Sequence, residues 1–192
     1  MLTKPQIEEI LQESGLLTHG HFLYTSGRHG DAYFEKARIL EQPIYVEELM
    51  KHLSEHFNED DIDLVVAPAV GAVILGYELA RQLGIKSIFA ERVDDKLTFR
   101  RGFTIPKGAK VIVAEDVITT GGSVMEMIEL VRAAGGNPAG VALLVDRTNG
   151  KIDFGIKTAA AYTADVASYA AEDCPICKAG ELPLVKPGSR AL

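Results

Sequence analysis

Cysteine is nearly missing from this 192-residue chain: Cys174 and Cys177 are its whole complement, too few for a disulfide-built scaffold. Long apolar runs are missing too, and nothing approaches the ~18 residues of a membrane span. The first fifteen residues, MLTKPQIEEILQESG, lack an apolar signal core. They read instead as an amphipathic helix capped by Thr3, with Pro5 in its first turn and Gly15 as its stop, so a cytoplasmic protein is expected. A surplus of positive charge is also lacking. The net charge of −7 argues against broad binding to nucleic acid or an anionic membrane, while leaving room for a local basic site. What remains is an ordinary apolar share of 47% and a length that fits one compact domain over residues 1–192, with at most a small appended subregion.

Residues 110–123, KVIVAEDVITTGGS, organise the rest. Val111, Ile112, Val113 and Ala114 form a short run rich in β-branched residues, which reads as a buried parallel strand. Glu115 and Asp116 stand where that strand ends. Thr119, Thr120, Gly121, Gly122 and Ser123 make a small turn, after which Val124, Ile128 and Val131 recur at helical spacing up to Gly135. Glycines let several backbone N–H groups converge on an anion, the helix adds its positive end, and the hydroxyls donate further hydrogen bonds. That combination is a phosphate cradle. The carboxylates beside it are poor phosphate ligands but good acceptors for two adjacent sugar hydroxyls, so a phosphorylated ribose suits both halves. Taken singly, the turn reads as a tight strand–helix connection and the acids as solvated. No lysine follows the glycines, so this is not a nucleotide P-loop.

Around this motif, strands at Leu64–Ala67, Ser87–Ala90, Ala139–Val145 and Ala159–Tyr162 alternate with helices, including Gly71–Leu83 closed by Gly84. The pattern is α/β, with a mainly parallel sheet covered on both faces and ligands at the carboxyl ends of its strands. From Gly20 to Leu40 an irregular strand pair is expected, with Tyr33 and Phe34 beside Arg28 and Lys36 as walls for a flat anionic ring. The plainer reading is a hairpin with one packed face. Arg92, Lys96, Arg100 and Arg101 mark a mobile hairpin over about residues 92–104, its cations one strand from the cradle; alone it reads as a solvent-facing ribbon. A helix over 43–57 carries His52, Glu55 and His56, which match an inverted zinc-protease string but equally suit the polar face of an amphipathic helix. Glu59, Asp60, Asp61 and Asp63 read as a solvated loop without EF-hand spacing. Cys174-Pro-Ile-Cys177 has redox or half-zinc spacing; with no further ligands evident it reads as two reduced thiols in a loop.

The run VIVAEDVITTGGS resembles the 5-phosphoribosyl 1-diphosphate (PRPP) signature of type I phosphoribosyltransferases. Phe22, Ser26, Gly27, Tyr33 and Phe34 fall where orotate phosphoribosyltransferases carry a hood segment, Asp146-Arg147 resembles their substrate-arginine dipeptide, and VKPGSR resembles their C-terminal end. The resemblance implies the type I phosphoribosyltransferase fold, a twisted, mainly parallel sheet flanked by helices, with a small hood mainly at 16–40. It implies transfer of the phosphoribosyl group from PRPP to orotate. PRPP binding would fall to Arg92, Lys96, Glu115, Asp116, Val117, Ile118, Thr119, Thr120, Gly121, Gly122 and Ser123, with Lys96, Arg92 and Asp116 catalytic. Orotate contacts would fall to Thr119 and Arg147, joined by Tyr33 and Phe34. Pro68-Ala69-Val70-Gly71 would face the pyrophosphate, and Mg²⁺ would be held chiefly by PRPP, with no protein side chain as its ligand. A homodimer is implied, each catalytic loop reaching the neighbouring site.

The chain departs from the family at three places. Thr25 stands where many members have a lysine, Val70-Gly71 lacks the lysine of a Tyr-Lys pair, and Val93 and Thr98 stand where a loop lysine and histidine are common. The same signature also serves purine phosphoribosyltransferases and PRPP-binding regulators. The hood segment and Arg147 favour orotate over purines, and the acidic charge without an added DNA-binding segment counts against a regulator.

Overall fold

The apolar run at Val111 opens a strand that is buried along almost its whole length, and the fold is built outward from it. The computed structural model describes residues 1–57 and 61–187, so Glu59 and Asp60 lie outside the described residues. In chain order the elements are α1 (Lys4–Glu13), β1 (Leu17–Leu23), β2 (His29–Phe34), α2 (Lys36–Leu40), α3 (Pro43–Ser54), β3 (Leu64–Pro68), α4 (Gly71–Leu83), β4 (Lys86–Val93), β5 (Lys96–Phe99) and β6 (Lys110–Ile118). There follow α5 (Gly122–Ala133), β7 (Asn137–Asp146), β8 (Lys157–Thr163), β9 (Ser168–Tyr169), a 3₁₀ turn at Ala171–Asp173, α6 (Pro175–Ala179) and β10 (Leu184–Val185).

Six strands form the main sheet in the order β5-β4-β3-β6-β7-β8, parallel except for the hairpin strand β5 at one edge. Both faces are covered, which is why β3 and β6 read as unbroken apolar runs and not as alternation. On one face Val65, Ala67, Ile112 and Ala114 meet Leu75 and Leu79 of α4 and Leu49 and Leu53 of α3. On the other, Val66, Val111 and Val113 meet Val124, Met127, Ile128 and Val131 of α5. The chain leaves β3 through α4 to β4 on one side and returns to β6 on the other. The strand order therefore switches between β3 and β6, and a crevice opens at their carboxyl ends.

The hood is a second, four-stranded sheet, β10-β1-β2-β9. The strand pair expected between Gly20 and Leu40 is its centre, but its outer strands come from residues 168–169 and 184–185. The sheet order thus joins two distant parts of the chain. The residues after Phe34, expected to continue the strand region, instead turn into the five-residue helix α2. At the other end, Thr3 donates both its N–H and its hydroxyl to the Gln6 side chain, fixing the start of α1.

The inverted zinc-protease string is tied up in packing. The Nδ1 of buried His52 accepts a hydrogen bond from the Leu2 N–H, and its ring meets His56 edge-on. Of the acidic loop, Asp63 accepts the Lys110 N–H at 2.7 Å, which pins the start of β6.

Close approach of α4 to the sheet depends on Gly76. A Cβ there would sit 2.9 Å from the Ala67 Cβ, too near for the strand beneath to accommodate without moving. Gly76→Leu is expected to lower stability by about 1–3 kcal/mol or more, the usual cost of overpacking a core. Urea unfolding would read this as a lower midpoint with the slope unchanged.

Candidate active site

The pleat of β6 decides where its two acids go. Side chains alternate along a strand, so Glu115 follows Val111 and Val113 toward α5, while Asp116 follows Ile112 and Ala114 toward α4. Both are buried, at 8% and 4% exposure. The expected strand end lies further on, since β6 continues to Ile118, and the acidic pair sits inside its last turns of pleat. The adjacent carboxylates thus have different surroundings.

Asp116 accepts the Val117 N–H on Oδ1 and receives the Lys36 ammonium on Oδ2 at 2.6 Å. Lys36, expected to wall a ring pocket, is therefore committed to the acidic pair. The β3–α4 turn closes on the same oxygen: a Cβ on Gly71 would collide with Asp116 Oδ2, so only glycine leaves the carboxylate its place. This turn contains a cis Ala69–Val70 peptide. It stands at the end of β3, beside β6 at the switch point, where a backbone turn toward pyrophosphate was expected.

Glu115 faces the start of α5. Burial, and next the Asp116 carboxylate, push its carboxyl above the ordinary 4.5, outweighing the Asp116 N–H, the Ser123 hydroxyl and Lys36. Thr119 and Thr120 are exposed beyond the strand. Gly121 then turns with φ +73°, a left-handed conformation that favours glycine, and no side chain caps the first turn of α5. Free N–H groups, exposed hydroxyls and a helix N-terminus meet there, which is the geometry an anion needs.

Above the cradle lies a cavity of about 960 Å³. It is walled by the 23–27 segment and Tyr33 from the hood, by Thr119 and Arg147 from the main sheet, and by Val166, Ser168, Lys186 and Pro187. Arg147 follows β7 directly. Among the described residues it forms no salt bridge, with its neighbour Asp146 or with another acid. Asp146 instead accepts from the Thr148 N–H and hydroxyl and the Gly150 N–H, which shapes the following loop. The Arg147 guanidinium sits 5.7 Å from the Tyr24 ring centre and 5.5 Å from that of Phe34, and its buried Nε has no hydrogen-bond partner among the described residues. A cation stacked on aromatic rings with an unsatisfied donor beside a cavity is prepared for an anionic ligand.

The sequence-derived site is thus partly regrouped. Thr119, Arg147 and Tyr33 meet on the cavity wall, whereas Phe34 lies buried beneath Arg147 as its support. Arg28 does not wall the ring pocket; it holds β9 by donating to the hydroxyl and carbonyl of Ser168. Tyr24 and Lys186 were missed. Tyr24 is anchored by donating its hydroxyl to the Ala32 carbonyl, while Lys186 lies within VKPGSR, a segment noted only for its resemblance.

The cationic segment is the expected hairpin. β4 and β5 pair through Asp94 and Asp95, both at positive φ, the geometry of a two-residue turn. Its cations are disposed unequally. Arg92 is held by Glu126 of α5 at 2.8 Å and by the Asp95 carbonyl at 2.6 Å, and the Leu97 N–H also donates to Glu126. Arg101 pairs with Glu91 and lies over Phe89. Lys96 and Arg100 have no salt bridge among the described residues, which leaves them as the uncommitted cations.

A family profile described as "Phosphoribosyl transferase domain" matches residues 36–157, from Lys36 through the cradle to the first residue of β8. The chain belongs to the phosphoribosyltransferase family. Its full-length relatives place it among the orotate phosphoribosyltransferases. The protein of that name from Pelotomaculum thermopropionicum is 51% identical over 191 residues, 100% of each chain. That from Caldanaerobacter subterraneus subsp. tengcongensis is 48% identical over 191 residues, again 100% of each. Among solved structures, orotate phosphoribosyltransferase from Aeropyrum pernix superposes with a TM-score of 0.68 and 25% identity, over 82% of this chain and 93% of that one. Adenine phosphoribosyltransferase from Thermoanaerobacter pseudethanolicus gives 0.66 at 17% identity, over 82% and 99%, a likeness of fold alone.

The raised pKa of Glu115 has a sign that can be tested. A carboxyl that holds its proton longer in the folded state loses stability as pH climbs from the unfolded value toward the folded one. Glu115→Gln removes that loss. Its stability relative to the unsubstituted protein should therefore improve between about pH 4 and about pH 7, as measured by urea midpoints at the two values. A relative stability that does not change with pH would show that Glu115 titrates normally.

Proposed function

We infer that the protein joins orotate to PRPP, giving orotidine 5′-monophosphate and diphosphate in pyrimidine nucleotide synthesis. The observation that carries this reading is the Arg147 guanidinium, unpaired at Nε, on a cavity that also reaches Thr119 at the edge of the phosphate cradle. A planar carboxylated base placed there has its carboxylate within the province of a two-pronged cation. Full-length identity of 51% to a protein named for this activity supports it independently. The purine alternative shares the fold but offers the arginine no carboxylate.

In this reading residues 117–123 and the α5 N-terminus hold the 5′-phosphate, and Glu115 and Asp116 take the ribose hydroxyls. The bond from the anomeric carbon to diphosphate breaks with its electron pair leaving on diphosphate. The orotate ring nitrogen forms the new bond, and its proton passes to the departing diphosphate. Positive charge on the sugar is favoured by the acidic pair, and negative charge on the leaving group by Arg92 and Lys96. For Arg92 to serve, it must exchange Glu126 for substrate, so its role is coupled to movement of the hairpin. Closure of that hairpin would keep water from PRPP.

The donor set suits Mg²⁺ carried mainly by the substrate. Asp116 already has Lys36 on one oxygen and Glu115 is buried facing the other way, which is unlike an all-protein cage for a hard cation. Bound through PRPP oxygens, the ion would supply charge neutralisation at the diphosphate. No helix among the described residues is long and apolar enough to cross a membrane. A cytoplasmic setting, where both substrates are small soluble anions, accords with this. A homodimer is also part of the proposal: Val70, Ile74 and Tyr77 present an apolar stripe along α4, exposed at 84%, 47% and 66%, that suits a second copy.

Arg147→Ala should raise the KM for orotate at least about thirtyfold, the equivalent of about 2 kcal/mol for one partner of a desolvated charge pair, with far less effect on PRPP. Steady-state assays with orotate, adenine, hypoxanthine and xanthine in parallel check both the arginine and the base. Equal losses for both substrates would make Arg147 structural, and turnover of a purine instead of orotate would end the reading.

The shared loop is tested by mixing two inactive variants, Lys96→Ala and Asp116→Asn, under conditions of subunit exchange. If Lys96 serves the neighbouring site, mixed dimers contain a site with both residues intact and activity returns. If it serves its own site, nothing returns.

A further inference from the structure

We propose that His21, His29, Cys174 and Cys177 form a metal site of the Cys₂His₂ type, a structural zinc centre that clasps residues 168–185 across the hood. It stands apart from the transfer site and rests on none of its residues.

The Cys-x-x-Cys pair, whose partners were not evident in sequence, finds them in β1 and β2. Leu23 is directly opposite His29 in that hairpin, and His21 lies two residues before Leu23, so both imidazoles project from one face as diagonal neighbours. The chain passes from β9 on the β2 edge, through the 3₁₀ turn and α6, to β10 on the β1 edge. It therefore crosses the hairpin, and the crossing carries Cys174 and Cys177 to the two imidazoles. The four ligand atoms all lie within 4.8 Å of one another.

The spacing is that of a coordination shell. His21 Nε2 is 3.2 Å from His29 Nδ1 and 3.5 Å from each sulfur, and His29 Nδ1 is 3.2 Å from Cys177 Sγ. A tetrahedron with metal–nitrogen bonds of about 2.0–2.1 Å and metal–sulfur bonds of about 2.3 Å has edges of about 3.3–3.8 Å. Hydrogen bonding alone serves the cluster poorly. His21 Nδ1 lies 3.2 Å from the Leu182 carbonyl, an obligate acceptor, so Nδ1 carries the proton and Nε2 presents a single lone pair. That lone pair faces three neighbours. One cation accepts lone pairs from all four atoms together, and the Leu182 carbonyl is the kind of outer partner that orients a metal-bound imidazole.

The ligand chemistry selects the ion. Two thiols and two imidazoles at tetrahedral spacing suit zinc over magnesium or calcium, and Cys-x-x-Cys is a usual half-site. His21 and His29 are 4% and 5% exposed and Cys174 is wholly buried, while Cys177 stands at the surface; four protein ligands leave no open coordination position, as in structural centres. The alternative pairing, a Cys174–Cys177 disulfide, leaves both imidazoles facing sulfur with nothing to bind.

The test uses the full chain, purified under reducing conditions without a metal-affinity tag. Plasma mass spectrometry should find one zinc ion per chain, and the thiols should resist a thiol reagent until a strong chelator is added. Reduced, chelator-stripped protein should take back one equivalent of Zn²⁺ and recover its melting temperature. With Co²⁺ it should show the visible bands of a tetrahedral ion and thiolate-to-metal charge transfer. Cys177→Ser, at the exposed ligand, and His29→Ala should each lose bound metal to background; if either fails to fold, the stripped and refilled native chain still decides. A metal-free protein that takes up neither Zn²⁺ nor Co²⁺ after reduction overturns the proposal. So does a chain isolated with the disulfide that binds no metal once reduced, or metal retained in both variants.

Discussion

Lys36 meets Asp116 across the seam between the hood and the main sheet, and the arrangement of the site depends on that contact. Asp116 is buried on a central strand, where a lone carboxylate would be costly, and its ammonium partner arrives from the short helix that follows the hood hairpin. Gly71 leaves room for this meeting from a third direction. Three separate segments thus converge on one oxygen. With Asp116 so fixed, the pleat of β6 directs Glu115 the other way, to the start of α5, and the crevice acquires an acid on each side of its central strand. Neither position is favourable for folding alone. A strand that continued as valine and isoleucine would pack better there.

Helix α5 has two tasks that lie less than two turns apart. Its uncapped first turn faces the cradle, and Glu126 within it holds both Arg92 and the Leu97 N–H of the hairpin. An anion at the first turn and a cation released from Glu126 would act on the same short helix. The hairpin and the cradle are therefore adjacent in space although they are separated in sequence, and Arg92 is the cation that docks the hairpin on this helix.

Much of this was legible before any coordinates. The helix Gly71–Leu83 was read at its observed bounds because glycine marks its stop and apolar spacing its body. The buried strands were found because both faces of the sheet are covered, and Arg147 was singled out because Asp146-Arg147 at the end of a strand resembles the family's dipeptide. What escaped has physical reasons. Strands β9 and β10 are two residues long and α2 five, too short for any periodicity to register. Arg28 and Lys36 looked free because their partners, Ser168 and Asp116, lie 140 and 80 residues away. The cysteine pair looked incomplete for the same reason, since His21 is 153 residues from Cys174. Local pattern reports local structure, and the hood is assembled almost wholly from distant parts.

That mode of assembly divides the molecule into parts of unequal resilience. The main sheet is drawn from one continuous stretch, residues 64–163, with a helix packed on each face. The hood must recruit an early hairpin and a late segment together, and its edges are held by strands of two residues. Without the proposed metal clasp, such a unit would open on its own more readily than the sheet beneath it. When it does, the walls at Tyr24, Tyr33, Ser168 and Lys186 separate, while the turn at 119–122 keeps its shape. The protein would then pass through excursions in which one side of the cavity is lost while the turn beside it stays formed. Amide exchange would be fast across the hood and slow along β6, and a ligand spanning both would close that gap.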